Sequence, residues 1–292
     1  MIITKLIGGL GNQMLQYAFG RWVSFFNKTN LKLDITGYEN QEVVTQRKYN
    51  LFIFNIKEQF ASKDEINKIK RLNYNKYLLK IINRILPYYY RPHVVQKYFE
   101  YDSNVKKIKN NSYLEGYWFS EKYFKGIEDV IRKDFTFKYG PNEINKKFIY
   151  EIINSNSISI HVRRGDYVTD KKTTEFHGTC DLEYYNQAVL FVSKKISNPH
   201  FFIFSDDSDW VKKNLCLNYQ STFVIHNFKK NNYEDLRLMS MCKHSIISNS
   251  SFSWWGAWLN YYPNKIVIAP KKWFNNQEIS AKDIIPDYWI KM

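Results

Sequence analysis

The sequence predicts an α/β protein built from two doubly wound parallel sheets, one in each half of the chain, facing each other across a ligand cleft. Three observations carry that prediction. A chain of 292 residues with 44% apolar and 18% aromatic content can fill two cores. From residue 157 onward, short apolar runs alternate with helical patterns. The first third opens on the same rhythm, a strand, a glycine turn and a helix leading to a second strand.

Taken in order, IITKLI (2–7) reads as a strand and GGLGNQ as a turn. A helix follows over 13–26, where Leu15, Ala18, Phe19, Trp22, Val23 and Phe26 recur at helical spacing. LKLDI (31–35) supplies the next strand and completes a βαβ unit. The pattern from 58 to 150 is irregular; within it 65–86 reads as a basic amphipathic helix, and YLEGYWFSEKYF (113–124) is dense in aromatic rings. The polar stretch KYGPNEINKK and the helix after it suggest a boundary near 150, giving domains 1–150 and 151–292. Strands are expected at 158–162, 201–205, 222–226, 245–248 and 265–269. Helices are expected at 181–196, with Asp181 as N-cap, and at 208–214, 233–242 and 252–260.

Net charge is +15, carried mostly by lysines scattered along the chain, which reads as solvated surface more simply than as a polyanion-binding face. Cys180, Cys216 and Cys242 form neither a paired framework nor a C-x-x-C site, so reduced thiols are expected. The N-terminus, MIITKLIGGLGNQ, lacks the pattern of a signal peptide, and no apolar run is long enough to span a bilayer. Cytoplasmic residence is therefore expected, and the N-x-S/T triplets at Asn27, Asn110 and Asn249 are read as chance matches.

In open parallel sheets, ligands bind beyond the carboxyl ends of the strands. The residues standing there are His161, Arg163, Arg164 and Asp166 in HVRRGDY (161–167), then Asp206 and Asp207, then His226 and Asn227, then Ser248, Asn249, Ser250 and Ser251. Guanidinium forks hold phosphate oxygens by paired charge-assisted bonds, and hydroxyls and free amides at a helix N-terminus bind phosphate too. A carboxylate such as Asp206 can accept two N–H bonds from the edge of guanine. Arginine, serine and aspartate together point to a nucleotide diphosphate. Strand alternation sends His161 and Arg163 one way and Val162 and Arg164 the other, so Arg163 is expected on the phosphates and Arg164 paired inside the domain. For any one arginine alone, a surface ion pair is the simpler explanation.

Other site classes lack their marks. GGLGNQ carries Met14 where a dinucleotide fingerprint needs its third glycine, and it lacks the Lys-Ser/Thr ending of a P-loop. There is no G-x-S-x-G elbow, and the six histidines have no metal-ligand spacing. The RGD at 164–166 sits tight against a core strand rather than on a loop tip, which argues against an adhesive role.

HVRRGDY resembles the signature of the bacterial α1,2-fucosyltransferases, members of the superfamily that also holds α1,6-fucosyltransferases and protein O-fucosyltransferases. GGLGNQMLQYAFGR (8–21), GYWFSEKYF (116–124), FSDDSDW (204–210) and LMSMCKHSIISNSSFSWWGAWL (238–259) resemble that family's other blocks, in the same order and across nearly the whole chain. The resemblance implies a GT-B fold, two Rossmann-like domains with the sugar nucleotide in the C-terminal one and the acceptor on the N-terminal side. It implies GDP-β-L-fucose as donor and inverting transfer of fucose to the 2-hydroxyl of a galactose-type acceptor, in O-antigen, capsule or other glycan synthesis. Carried over residue by residue, it places Arg163 on the β-phosphate, His161 and Asp206 or Asp207 at the guanosine end, Ser250 or Ser251 on the pyrophosphate, and Asn12 toward the cleft.

Arg163 can stabilise the departing GDP without a metal, so no cofactor is expected, against the competing D-x-D signal in DDSD (206–209). Inversion needs a base near the acceptor hydroxyl. Asp166 is the first candidate; Glu175 and His177 are alternatives, since the α1,6 enzymes carry a similar pair at about that distance. Asp166 is equally readable as an ion-pair brace for the arginines. The expected partners are GDP-fucose and a galactoside or lipid-linked glycan, with no nucleic acid. The 65–86 helix either packs in the N-terminal domain or rests peripherally at the inner membrane face. The alternative from another class is a non-catalytic, basic, aromatic-rich protein binding nucleic acid or polysaccharide.

Overall fold

A computed structural model describes residues 1–39, 46–70, 81, 84–227, 231–276 and 278–292. They form two compact units, Met1–Lys138 with Lys282–Ile284, and Tyr139–Ala281 with Ile285–Met292.

The first unit runs β1 (Ile2–Lys5), α1 (Leu10–Phe26), β2 (Leu31–Asp34), α2 (Lys63–Lys70), β3 (His93–Val95), β4 (Ser112–Glu115) and α3 (Glu128–Asp134). Its four strands are all parallel, in the order β2-β1-β4-β3. The helix expected from residue 13 begins earlier, at Leu10, inside GGLGNQ. Gly8 takes a positive φ of 76°, which an L side chain resists. Gln13 then staples the turn: its Nε2 donates to the carbonyls of Gly8 (3.0 Å) and Lys48 (2.8 Å), and its Oε1 accepts from Asn50 N–H. The aromatic block at 113–124 is core, with Trp118 stacked on Phe19 of α1 at 4.1 Å and Tyr123 edge-on to both. The distant segment 282–284 belongs here because Asp283 accepts from the Tyr101 amide (2.9 Å) and pairs with Lys122 (2.5 Å). Of the 65–86 helix, residues 71–80 and 82–83 lie outside the described residues. In α2, Ile66 and Ile69 pack against Ile3 and Tyr113, so the apolar face of this part is buried in the unit.

The second unit runs α4 (Glu143–Ile153), β5 (Asn156–Val162), α5 (Gly165–Thr169), α6 (Lys171–His177), α7 (Leu182–Ser193), β6 (Pro199–Ser205), α8 (Ser208–Asn214), β7 (Gln220–Val224), α9 (Tyr233–Met241), β8 (His244–Ile246), α10 (Ser251–Leu259), β9 (Val267–Ala269) and β10 (Ile290–Lys291). Six parallel strands lie in the order β10-β9-β8-β5-β6-β7. Strand alternation divides β6 between two cores: Phe201 and Ile203 join Ile158, Ile160 and α7 on one face, while Phe202 and Phe204 meet α9 and Ile152 on the other. Helix α10, apolar all round, is correspondingly buried from Ser253 to Leu259.

The units divide at Lys138/Tyr139 rather than near 150. Residues 139–150, expected in the N-terminal domain, pack with the second unit. The buried Asn145 of α4 exchanges side-chain hydrogen bonds with Asn227, and Phe148 and Ile149 cover the α9 core. The two-residue β10 and the short helices α5 and α6 were absent from the sequence expectation. No helix among the described residues is long and apolar enough to cross a membrane.

Candidate active site at the reversal of strand order

The chain lays down β5, β6 and β7 in one direction, then returns to place β8 on the other side of β5. Strand order therefore reverses between β5 and β8, and such a reversal opens a crevice at the strands' carboxyl ends. Two of the segments singled out from sequence border it: Arg163–Asp166 follows β5, and Ser248–Ser251 follows β8.

The Arg163 guanidinium lies between two carboxylates. Its Nη1 is 2.8 Å from Asp206 Oδ2, and its Nη2 donates to Asp166 in the first turn of α5. Its centre stands 5.2 Å from the Tyr167 ring. Burial works against this charge, but the Asp206 and Asp166 carboxylates more than offset it and hold the guanidinium more firmly protonated than usual. Arg164 turns to other partners: Nε bonds Asp207 (3.1 Å), the guanidinium lies 3.8 Å over Trp210, and the backbone N–H donates to Asp206 Oδ1 (2.8 Å). Asp207 also caps α8 through the Trp210 amide. Gly165 makes the arrangement sterically feasible, since a Cβ there would stand 2.3 Å from Asp206 Oδ2.

His161 is 5% exposed and shares a 2.9 Å hydrogen bond with Ser248 Oγ. Burial, with the Arg163 charge second, pushes its imidazole down to about 3, so it is neutral near pH 7. Ser250 caps α10, its Oγ accepting from Phe252 N–H, and Ser251 is the first residue of that helix. His177 stacks on Tyr167 at 4.7 Å, and its Nδ1 is buried without a hydrogen-bond partner among the described residues. Burial holds its imidazole down to about 4; Asp166 opposes that shift and Arg163 adds to it. Glu175 is exposed on α6. Asn12 lies in the first turn of α1, in the first unit.

Two residues to which the sequence reading assigned no specific role organise the neighbourhood of Arg163. Asn249 Nδ2 donates to the carbonyls of His177 (3.1 Å), Gly178 (3.1 Å) and Trp273 (3.2 Å), tying α6 to the loop before α10. Tyr167 lies between Arg163 and His177. The signal for Asn249 was its place directly after a strand; an aromatic one residue beyond the acid of HVRRGDY was the signal for Tyr167.

Two guanidiniums thus face three carboxylates. Arg163 has donors enough for an anion, yet it already holds two acids. Asp206 and Asp207, expected at the guanosine end, are both engaged by arginines. Among the described residues, no group of three or more His, Cys, Asp or Glu side chains is placed to hold a metal ion.

The model of glycosyl transferase family 11 matches residues 1–292. An alpha-1,2-colitosyltransferase of Escherichia coli is 34% identical, over 100% of this chain and 99% of that protein. The O-antigen biosynthesis glycosyltransferase WbnK of Escherichia coli is 33% identical, over 98% and 99% respectively. Among solved structures, a point mutant of Arabidopsis thaliana FUT1 in complex with GDP aligns over 91% of this chain and 69% of its own, with a TM-score of 0.51 at 10% identity. At that identity the likeness speaks for the fold alone, parallel α/β units of the GT-B class.

Proposed function

The chain belongs to glycosyl transferase family 11, and on that premise we propose that it moves a 6-deoxy sugar from its GDP-activated form to the 2-hydroxyl of a galactose-type acceptor in O-antigen synthesis. The donor in the first reading is GDP-β-L-fucose, and the product linkage is α1,2 with inversion. The observation that carries this reading is Arg163, standing at the reversal of strand order with its guanidinium already gripped by two anions. A diphosphate oxygen entering there takes the Nη2 donor from Asp166. The guanidinium then stabilises the charge that builds on the β-phosphate as the sugar–oxygen bond breaks.

That exchange gives Asp166 its second role. Paired to Arg163, its oxygen is occupied by Nη2; displaced by the phosphate, the carboxylate can turn to take the proton of the acceptor hydroxyl. His177, with its imidazole held down to about 4, is a weak proton acceptor at neutral pH, and its buried Nδ1 would have to be uncovered before it met a ligand. Glu175 remains the exposed alternative. Ser250 and Ser251 would meet the pyrophosphate at the start of α10. Asp206 serves as a fixed brace for Arg163 in this scheme, and no metal is required.

One observation favours a second donor. The 34% identical relative is named a colitosyltransferase, and colitose is fucose without its 3-hydroxyl. Competition between GDP-fucose and GDP-colitose for one galactoside separates the two. The reading as a whole is tested by thermal stabilisation and transfer together: GDP, and not UDP, should raise the melting temperature, and radiolabelled fucose should appear on a β-galactoside. Stabilisation by neither nucleotide would sink it. The non-catalytic nucleic-acid- or polysaccharide-binding alternative is not favoured by the family. A lipid-linked acceptor would place the chain at the inner membrane face, which liposome flotation checks.

A further inference from the structure

The sheet of the first unit ends in a cluster the donor chemistry does not use. Lys5, Asp34, Val95 and Glu115 are the last residues of its four parallel strands, with Lys5 paired in register to Asp34 and Val95 to Glu115. They mark the edge where an open parallel sheet binds its ligand. Glu115 is the hub. Lys5 Nζ lies 2.7 Å from its Oε1 and His93 Nε2 lies 2.9 Å from its Oε2, with Lys70 behind at 4.0 Å. Lys70 sits over the Tyr113 ring at 3.8 Å, and Tyr113 in turn donates to Asp34 at 2.5 Å. Beside the cluster, the Tyr117 ring stacks in parallel with Phe99.

A purely structural role explains this poorly. The side chains of Lys5, Glu115 and His93 are 26%, 26% and 35% exposed, so all three keep a solvent-facing portion, and ion pairs within reach of water contribute only modestly to stability. Their spare capacity points outward instead: a carboxylate has about four lone-pair sites and an ammonium three N–H groups, so ligand-facing positions remain on both. With Asp34 counted, Lys5 and Lys70 balance Glu115 and Asp34, leaving the cluster polar and close to neutral. Such a surface suits neither phosphate nor a cation. It suits vicinal hydroxyls, each a donor and an acceptor, with an aromatic ring for the apolar face of a sugar.

We propose that Glu115, held between Lys5 and His93 and flanked by Tyr117, reads the hydroxyls of a neutral galactoside and is a specificity-determining residue for the acceptor. This rests on the reading that the first unit is the acceptor side. Glu115 acts here as a hydrogen-bonding group and not as the base. His93 first, with Lys5 and Lys70 and against the effect of burial, holds its carboxyl down to about 2, which leaves it little appetite for a proton.

The test compares wild type with Glu115→Gln and His93→Ala, using lactose and a β1,3-linked galactoside as acceptors and GDP-fucose as donor. The expected result is an acceptor KM raised about 10- to 100-fold, the size of one charge-assisted hydrogen bond, with the melting shift on adding GDP as in wild type. An acceptor KM within about twofold of wild type in both folded variants would overturn the proposal while leaving the fucosyl-transfer reading standing. A wild type that binds GDP yet transfers neither fucose nor colitose, from their GDP forms, to either galactoside would sink that reading, and the proposal with it.

Discussion

Replacing Asp166 by asparagine should tighten GDP binding while slowing turnover, an opposition that follows from the geometry at Arg163. The guanidinium donates Nη1 to Asp206 at 2.8 Å and Nη2 to Asp166, so an arriving diphosphate must displace a carboxylate or share its donors. Asparagine keeps the size and the acceptor oxygen and removes the charge. A charge-assisted hydrogen bond exceeds a neutral one by about 1 kcal/mol, and that difference no longer opposes the ligand. GDP should bind about fivefold more tightly, by the usual conversion of free energy to affinity. The amide cannot take a proton, so turnover with saturating acceptor should fall by about 10²-fold or more. Isothermal titration with GDP and initial rates with GDP-fucose, both at fixed ionic strength because salt screens such contacts, measure the two effects. GDP bound tenfold more weakly would make Asp166 an essential brace and not a competitor. Unchanged turnover would remove it from the chemistry.

The remaining predictions concern the same crevice. Gly165→Ala puts a methyl 2.3 Å from Asp206 Oδ2; the clash should cost about 1–3 kcal/mol and weaken GDP, read by denaturant melts and titration. Arg164→Lys keeps charge but loses the flat contact with Trp210 and the Nε bond to Asp207, lowering stability by about 1 kcal/mol, or roughly 2–4 °C in melting temperature. The pH dependence has a definite sign. His161 is about 3 in the folded chain against an ordinary 6.5, so the unfolded state binds the extra proton as pH falls from 6.5 toward 3, and stability drops across that window. The slope from this group is about 1.4 kcal/mol per pH unit at most, and a His161→Gln variant should melt with a visibly shallower acid dependence. Transfer should persist in excess EDTA; turnover lost on chelation and restored by Mn²⁺ would contradict the charge assignment to Arg163.

Much of the second unit was legible because its central strands β5, β6, β8 and β9 are buried on both faces and read as apolar runs, and because α7 begins at the Asp181 cap that the sequence marks. The first unit was harder for a physical reason. Its strands β3 and β4 are three and four residues long, and the aromatic block beside them packs as core without a regular period. The boundary slipped to 138 because α4 joins the second unit through Asn145 and Phe148, contacts that polar helix composition does not announce. At the site, alternation along β5 separated the partners of the two arginines, but not how many carboxylates meet Arg163. Asp206 lies a whole βα turn away in sequence and reaches Arg163 because β5 and β6 are neighbours, with Val162 opposite Ser205. The Lys5–Glu115–His93 cluster was invisible for the same reason, its members arriving from three strands.

Whether Arg163, at the end of β5, holds the diphosphate of the donor is decided by a crystal structure of the protein with GDP. A β-phosphate oxygen should lie within hydrogen-bonding distance of the Arg163 guanidinium, with the Asp166 carboxylate moved off Nη2 and Asp206 still in place. GDP bound elsewhere, with Arg163 still clasped by both acids, would contradict that role.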